Sequence, residues 1–264
     1  MADTGSESPH TKPEESKPLA CAMSAHSDKG RVRESNEDNY ALDEAQHVAV
    51  IADGMGGHAA GEVASGMATQ DIVKALAAAR ADLSGLDPEA YETAAHKIGQ
   101  IVSAANKAIL ERSADEADKR GMGTTLDAVI VLPKSAYVAH VGDSRVYWIR
   151  DGVVTPVTRD HSLAAALVDS GRLTAEEAAP LEGVLVRALG ISSDLAVDVA
   201  RIEIQAGDSL LLCTDGLWRY FPDHTEIAKA ISADGAGAAK KLVDEAVSRG
   251  GEDNATAIVV LIKD

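Results

Sequence analysis

Two rhythms of apolar residues alternate along this chain. Residues 47–52 (HVAVIA) form a short, nearly unbroken apolar run that stops at Asp53-Gly54, the pattern of a buried strand ending in a turn. Residues 60–81 and 88–113 instead repeat their apolar positions at helical spacing. Asp87 before Pro88 predicts an N-cap with proline at the first helical position. Strand signals then take over. Residues 126–132, 135–141, 145–149 and 153–157 are short and punctuated by Pro-Lys, Gly-Asp and Asp-Gly. The pattern further predicts an irregular helix over 164–179, strands over 197–204 and 209–214, helices over 225–232 and 236–249, and a closing strand over 255–262. Two early helices, a block of strands, two late helices and a last strand predict an α+β layered domain.

Nothing in the middle of the chain reads as a linker, and no internal repeat is present, so one domain is expected over residues 21–264. The first residues are rich in Ser, Glu, Lys, Pro and Thr. Such a segment buries too little apolar surface to offset its ordering entropy, which predicts a disordered tail over residues 1–20.

Composition narrows the chemistry. Aromatics are only 3% of the chain against 45% hydrophobic residues, so the core must be built from Ala, Val, Leu and Ile. A formal charge of -17 argues against nucleic-acid binding, which needs Lys and Arg to neutralise phosphates. The acidic surplus either solvates the surface or, in part, binds hard cations that prefer oxygen ligands. Two cysteines, Cys21 and Cys213, are too few for a disulfide framework or a zinc site. Cys213 ends an apolar run and reads as a small buried residue. No apolar stretch approaches membrane-spanning length and no apolar signal region opens the chain, so a cytoplasmic protein with no membrane partner is expected.

Five short acidic motifs stand where strands meet turns: 33–38 (RESNED), 53–58 (DGMGGH), 142–145 (GDSR), 214–216 (TDG) and 251–254 (GEDN). Singly, each is an ordinary turn or a solvated charge pair. Together they say more. Asp53 and Asp215 each follow an apolar run, so each carboxylate is presented at the edge of a core, where an unpaired charge is costly. Few Lys or Arg lie nearby in sequence. Converging acids would raise one another's pKa, a conflict that divalent ions resolve. A glycine beside Asp53 allows a backbone carbonyl to serve as a further oxygen ligand.

RESNED, DGMGGHAAGE, GMGTT, HVGDSR, TDGLW and GGEDNAT, in this order, resemble the signature set of bacterial type 2C protein phosphatases over residues 23–262. The resemblance implies a four-layer α/β/β/α sandwich, with two antiparallel sheets flanked by helix pairs. It implies hydrolysis of phosphoserine and phosphothreonine in proteins by a metal-activated water, with Mg²⁺ or Mn²⁺ as cofactor: two core ions and a third. Residue by residue, Asp53 bridges two ions, Asp215 and Asp253 complete the first ion's ligands, and Glu37 with the Gly54 carbonyl binds the second. Asp38 stands behind the ions and orients water. Asp143 with Asp215 holds the third ion, and Arg33 grips the substrate phosphate. The expected partners are phosphoproteins and an opposing bacterial Ser/Thr kinase, and a monomer is expected.

The chain departs from the family pattern in two places. Some members carry a histidine as general acid two residues after the bridging aspartate; Met55 stands there. His58 is the remaining candidate acid, or else simply caps the glycine-rich turn. Residues 160–186 match the family's flap, but Pro180-Leu181-Glu182-Gly183 replaces its usual His-Pro and Arg-Asn stretch. Trp218 and Tyr220 read as packing residues. Other readings are a phosphatase dedicated to one small regulatory phosphoprotein, a catalytically inactive scaffold that binds phosphoproteins or a kinase, and a calcium-binding structural domain. The complete acid set disfavours the scaffold. The scattered spacing of the acids disfavours the calcium domain.

Overall fold

The structure is a computed structural model and describes residues 19–56, 59–86 and 90–264. In chain order, β1 (Ala20–Asp28), β2 (Asp38–Asp43) and β3 (Val48–Met55) lead into two long helices, α1 (Ala59–Ser84) and α2 (Tyr91–Asp115). The short β4 (Gly123–Thr124) precedes β5 (Leu126–Val131), β6 (Ser135–Val141), β7 (Arg145–Arg150) and β8 (Val153–Pro156). Helices α3 (Leu163–Asp169) and α4 (Ala175–Ala178) come before β9 (Asp198–Glu203) and β10 (Ser209–Cys213). The one-turn α5 (Asp215–Trp218), then α6 (Thr225–Asp234), α7 (Ala238–Arg249) and β11 (Ala255–Lys263) finish the chain.

The strands form two antiparallel sheets, ordered β1-β11-β10-β7-β8 and β2-β3-β5-β6-β9, with β4 paired to the end of β3. Why the central strands are apolar without a break is clear from where alternate residues go. On β3, Ala49 and Ile51 enter the core between the sheets, while Val48, Val50 and Ala52 pack beneath α1 and α2. On β10, Leu210 and Leu212 face the other sheet, and Leu211 and Cys213 face α6 and α7. β11 divides in the same way. Both faces of each strand are covered, so neither needs polar residues, and the layers stack helix, sheet, sheet, helix as expected. No helix of the described residues is long and apolar enough to cross a membrane.

Several elements differ from the sequence expectation. The predicted helix over 164–179 is two short helices. Gly171 adopts a left-handed φ of 67° between them, and Thr174 restarts the chain through a capping box with Glu177. The boundary placed at residue 20 falls inside β1, where Ala20 pairs with Lys263. The rest of the expected tail, residues 1–18, and the Asp87-Pro88 cap lie outside the described residues, and α2 has Ala90 at its N-cap. β1, β2 and α5 had no clear periodic signal. On β1 only Cys21, Met23 and Ala25 face the core, and the Ala and Ser residues between them are weak strand formers.

Candidate metal centre

Topology brings the acidic motifs together. β2 lies beside β3 in one sheet, and β10 beside β11 in the other. Glu37 immediately precedes β2, Asp215 follows β10, Asp253 precedes β11, and Asp143 sits in the turn between β6 and β7. Asp53 corrects the sequence expectation: it does not follow its strand but lies within it, opposite Asp38 in the antiparallel register. The strand continues through Gly54 and Met55 because β4 takes over the pairing there. Glu37, Asp53, Gly54, Asp143, Asp215 and Asp253 line one cleft of about 320 Å³, with Arg33 on its wall. Asp38 is buried behind them at 5% exposure. His58 lies outside the described residues.

The scaffold around these acids is dense with hydrogen bonds. Asp38 Oδ2 accepts from the hydroxyls of Thr214 (2.9 Å) and Thr256 (2.6 Å), which ties β2 of one sheet to β10 and β11 of the other. The Asp53 N–H donates to Thr125 Oγ1 (2.9 Å), which also meets Ser144 Oγ (2.8 Å). Asn254 Oδ1 accepts the Glu37 N–H (2.8 Å), and its Nδ2 donates to the carbonyls of Lys29 and Ser35, stapling segment 29–37 to the sheet. The Trp218 indole donates to the Asp143 carbonyl (2.9 Å) beneath the Arg145 guanidinium. Trp218 is thus a packing residue that also fixes the Asp143 turn.

Two glycines set the approach of β3 to α1. A Cβ on Gly54 would lie 2.3 Å from the Gly61 carbonyl oxygen, and one on Gly61 would lie 1.9 Å from Glu37 Oε2. Glycine at 54 is therefore needed for contact with the helix start, beyond any role of its carbonyl as a ligand.

Electrostatically the cleft is under tension. Burial, reinforced by the charges of Asp215 and Asp253, pushes Asp38 up to about 7 against its two threonine hydrogen bonds. Asp143 is pushed to about 7 by burial and by Asp215. Burial and the neighbouring Asp38 and Asp215 hold Asp53 well above the usual carboxylate range. Asp215 is raised by burial despite Arg219, which holds its Oδ2 at 2.7 Å. Arg33 donates to Asp253 Oδ2 at 2.5 Å. Two guanidinium groups against this many acids leave the cluster short of positive charge. Asp38 Oδ1 and Asp215 Oδ1 are buried with no hydrogen-bond partner among the described residues. Hard oxygen donors, mutual repulsion and orphaned buried oxygens fit divalent cations. Among the described residues no three such side chains are gathered into a closed ligand set.

The family model described as Protein phosphatase 2C matches residues 25–233. The chain belongs to the protein phosphatase 2C family. Among its relatives in this family, the serine/threonine phosphatase stp of Listeria monocytogenes is 37% identical over 240 residues, covering 88% of this chain and 92% of that protein. The serine/threonine protein phosphatase PstP of Mycobacterium tuberculosis is 39% identical over 249 residues, covering 93% of this chain but 46% of that longer protein. The crystal structure of PstP superposes with a TM-score of 0.80 at 38% identity, covering 92% of this chain and 99% of that one. A structure of the PstP catalytic domain in complex with 2 manganese ions gives 0.78, covering 93% of this chain and 100% of that one.

Thr214, Thr256, Asn254 and Arg219 were not singled out from sequence. The first three stand within or beside the acidic motifs and could have been flagged there. Arg219 has no such signal, because its relation to Asp215 depends on the one-turn helix α5.

Proposed function

We propose that this cleft hydrolyses phosphoserine and phosphothreonine in proteins with the help of divalent Mg²⁺ or Mn²⁺. The observation that carries the reading is the convergence of buried acids on one cleft with the Asp38 and Asp215 oxygens left unpartnered. The names of the family relatives and the manganese-bound PstP domain support it. Asp53, Glu37, the Gly54 carbonyl, Asp215 and Asp253 would hold two core ions, and Asp143 with Asp215 a third. Bound there, the ions supply a nucleophile at neutral pH by lowering the pKa of water and offset charge on the phosphoryl oxygens.

The chain's own residues do the rest. Asp38, pinned at Oδ2 by two hydroxyls, can accept a hydrogen bond or a proton at its buried, unpartnered Oδ1. Arg33, more than half exposed, can leave Asp253 for a substrate phosphate and bind it with two parallel N–H donors. Cys213 is buried and its thiol is pushed far up by burial, so it is not a nucleophile. The same reading places the protein in the cytoplasm as a monomer opposite a Ser/Thr kinase, which supplies the phosphoproteins consumed.

Purified protein should hydrolyse an aryl phosphate and a phosphothreonine peptide with Mn²⁺ and stop in EDTA. Asp53→Ala should abolish turnover, and full activity in that variant would rule the site out. Tight phosphopeptide binding without hydrolysis by the wild type would favour the scaffold reading. Arg33→Lys keeps the charge but loses the fork. A charge-assisted hydrogen bond is worth about 1.5–3 kcal/mol, so kcat/KM should fall roughly tenfold to a hundredfold.

A further inference from the structure

The acidic cleft also has apolar lining. Met55, two residues beyond Asp53 on β3, lines the cleft, and so does Leu185 from the 160–186 segment. Ile191 stands beside Met55: a Cβ on Gly123 would lie 2.8 Å from Met55 Cε and 3.0 Å from Ile191 Cδ1, so the two side chains meet over that glycine. Ile191 is nonetheless 54% exposed.

These residues sit on fixed backbone. Leu189 exchanges both backbone hydrogen bonds with Thr124 (3.0 and 2.9 Å). Gly190, at a left-handed φ of 83°, is pressed against Ile109 and the Met122 carbonyl. Leu185 bridges to Ser162, flanked by hydrogen bonds from Leu163 to Val184 and from Val186 to His161. Ile191 thus presents an exposed aliphatic side chain, on backbone held by these bonds, next to the cleft-lining Met55.

What covers it follows from continuity with the cleft and from charge. A phosphoprotein segment that brings its phosphate to Arg33 lays its neighbouring residues along the walls. Met55, Leu185 and Ile191 offer no polar partner, so an acidic or polar side chain laid on them loses water without compensation, and the chain's net charge of -17 adds to the cost for an acidic one. We propose that Met55, Leu185 and Ile191 form a shelf for an aliphatic side chain within two residues of the phosphorylated position, so that the enzyme selects substrates with Leu, Ile, Val or Met there over acidic or polar ones. This rests on the phosphatase reading above.

The test compares kcat/KM for phosphothreonine peptides that differ only in Leu, Gln or Glu at the flanking positions, using the full chain with Mn²⁺. Discrimination by an apolar pocket is on the order of tenfold or more, so the Leu peptide should lead by about that factor. Ile191→Ser and Leu185→Gln should each bring the Leu-to-Gln ratio close to one. Ile191→Lys should move the preference to the Glu peptide, an inversion that misfolding cannot produce. A wild-type ratio near one, or a ratio unchanged in both Ile191→Ser and Leu185→Gln, overturns the shelf. If the wild type hydrolyses neither peptide nor an aryl phosphate, the phosphatase reading falls and takes the shelf with it.

Discussion

In EDTA at neutral pH, Asp53→Asn should melt at a higher temperature than the wild type while turning over no substrate. The acids of the cleft are a liability to the fold when no divalent ion offsets them. Asp38 at about 7, against an ordinary 3.8, corresponds to about 4 kcal/mol lost at neutral pH. Asp53 is raised too, by burial and by the charges of Asp38 and Asp215. Replacing that carboxylate with a neutral amide removes Asp53's own penalty, and a gain of about 2–3 kcal/mol would raise Tm by roughly 5–10 °C in a chain of this size. Mn²⁺ at a hundred times its Kd should stabilise the wild type by about 2.7 kcal/mol, and Asp53→Asn should lose most of that response.

The pH dependence has a definite sign. A carboxylate whose folded pKa lies above its unfolded value favours the protonated folded state. Its penalty is absent below the unfolded value near 4 and fully developed above the folded value near 7. Stability of the chelated wild type should therefore fall as pH rises from about 4 to 7.5. His140, raised by its partner Asp127 despite burial, loses its contribution as pH climbs past its own pKa, so it slopes in the same direction. His161 is lowered by burial and by His140, and it slopes the opposite way below 6.5. Neither is touched by Asp53→Asn, so the difference between the two Tm-against-pH curves isolates the cleft. Parallel curves in EDTA would refute the electrostatic account.

How much of this was legible in the sequence depended on whether a residue's partner is near it in the chain. The apolar runs at β3, β10 and β11 were plain, because both faces of those strands are covered. Each carboxylate was visible as an acid at a strand end. Their convergence was not, since it depends on β2 pairing with β3 and β10 with β11, and periodicity carries no pairing information. The ordered motifs supplied it through resemblance. Asp53 looked like a turn residue because its strand ends in Asp-Gly, yet β4, a two-residue strand far along the chain, extends β3 past it. Arg219 and the threonines that grip Asp38 were hidden for the same reason: their partners arrive from distant segments.

Two glycines of α1 give the sharpest separation between packing and propensity. Gly66→Ala should be tolerated or mildly stabilising, because its Cβ would meet only Asn39 Nδ2 at 3.8 Å and alanine is the better helix former by about 0.5–1 kcal/mol. Gly61→Ala, one turn earlier, gains the same propensity but cannot keep it. Its Cβ would stand 1.9 Å from Glu37 Oε2 and 2.8 Å from the Gly54 carbonyl carbon. The carboxylate could swing aside, but the Gly54 backbone is held by the N–H donated to the Glu37 carbonyl and by its pairing with β4. Relief must therefore come from moving α1 or displacing Glu37, at about 1–3 kcal/mol of stability for overpacking. A shift of an ångström at a positioning group can cost a hundredfold in rate, and kcat/KM should fall by about that much. Raising Mn²⁺ should restore part of the Gly61→Ala rate if Glu37 holds an ion, since the loss is then of affinity. A Gly61→Ala enzyme with normal activity and normal Mn²⁺ dependence would remove Glu37 from the metal centre and leave Gly54 and Gly61 as packing residues alone.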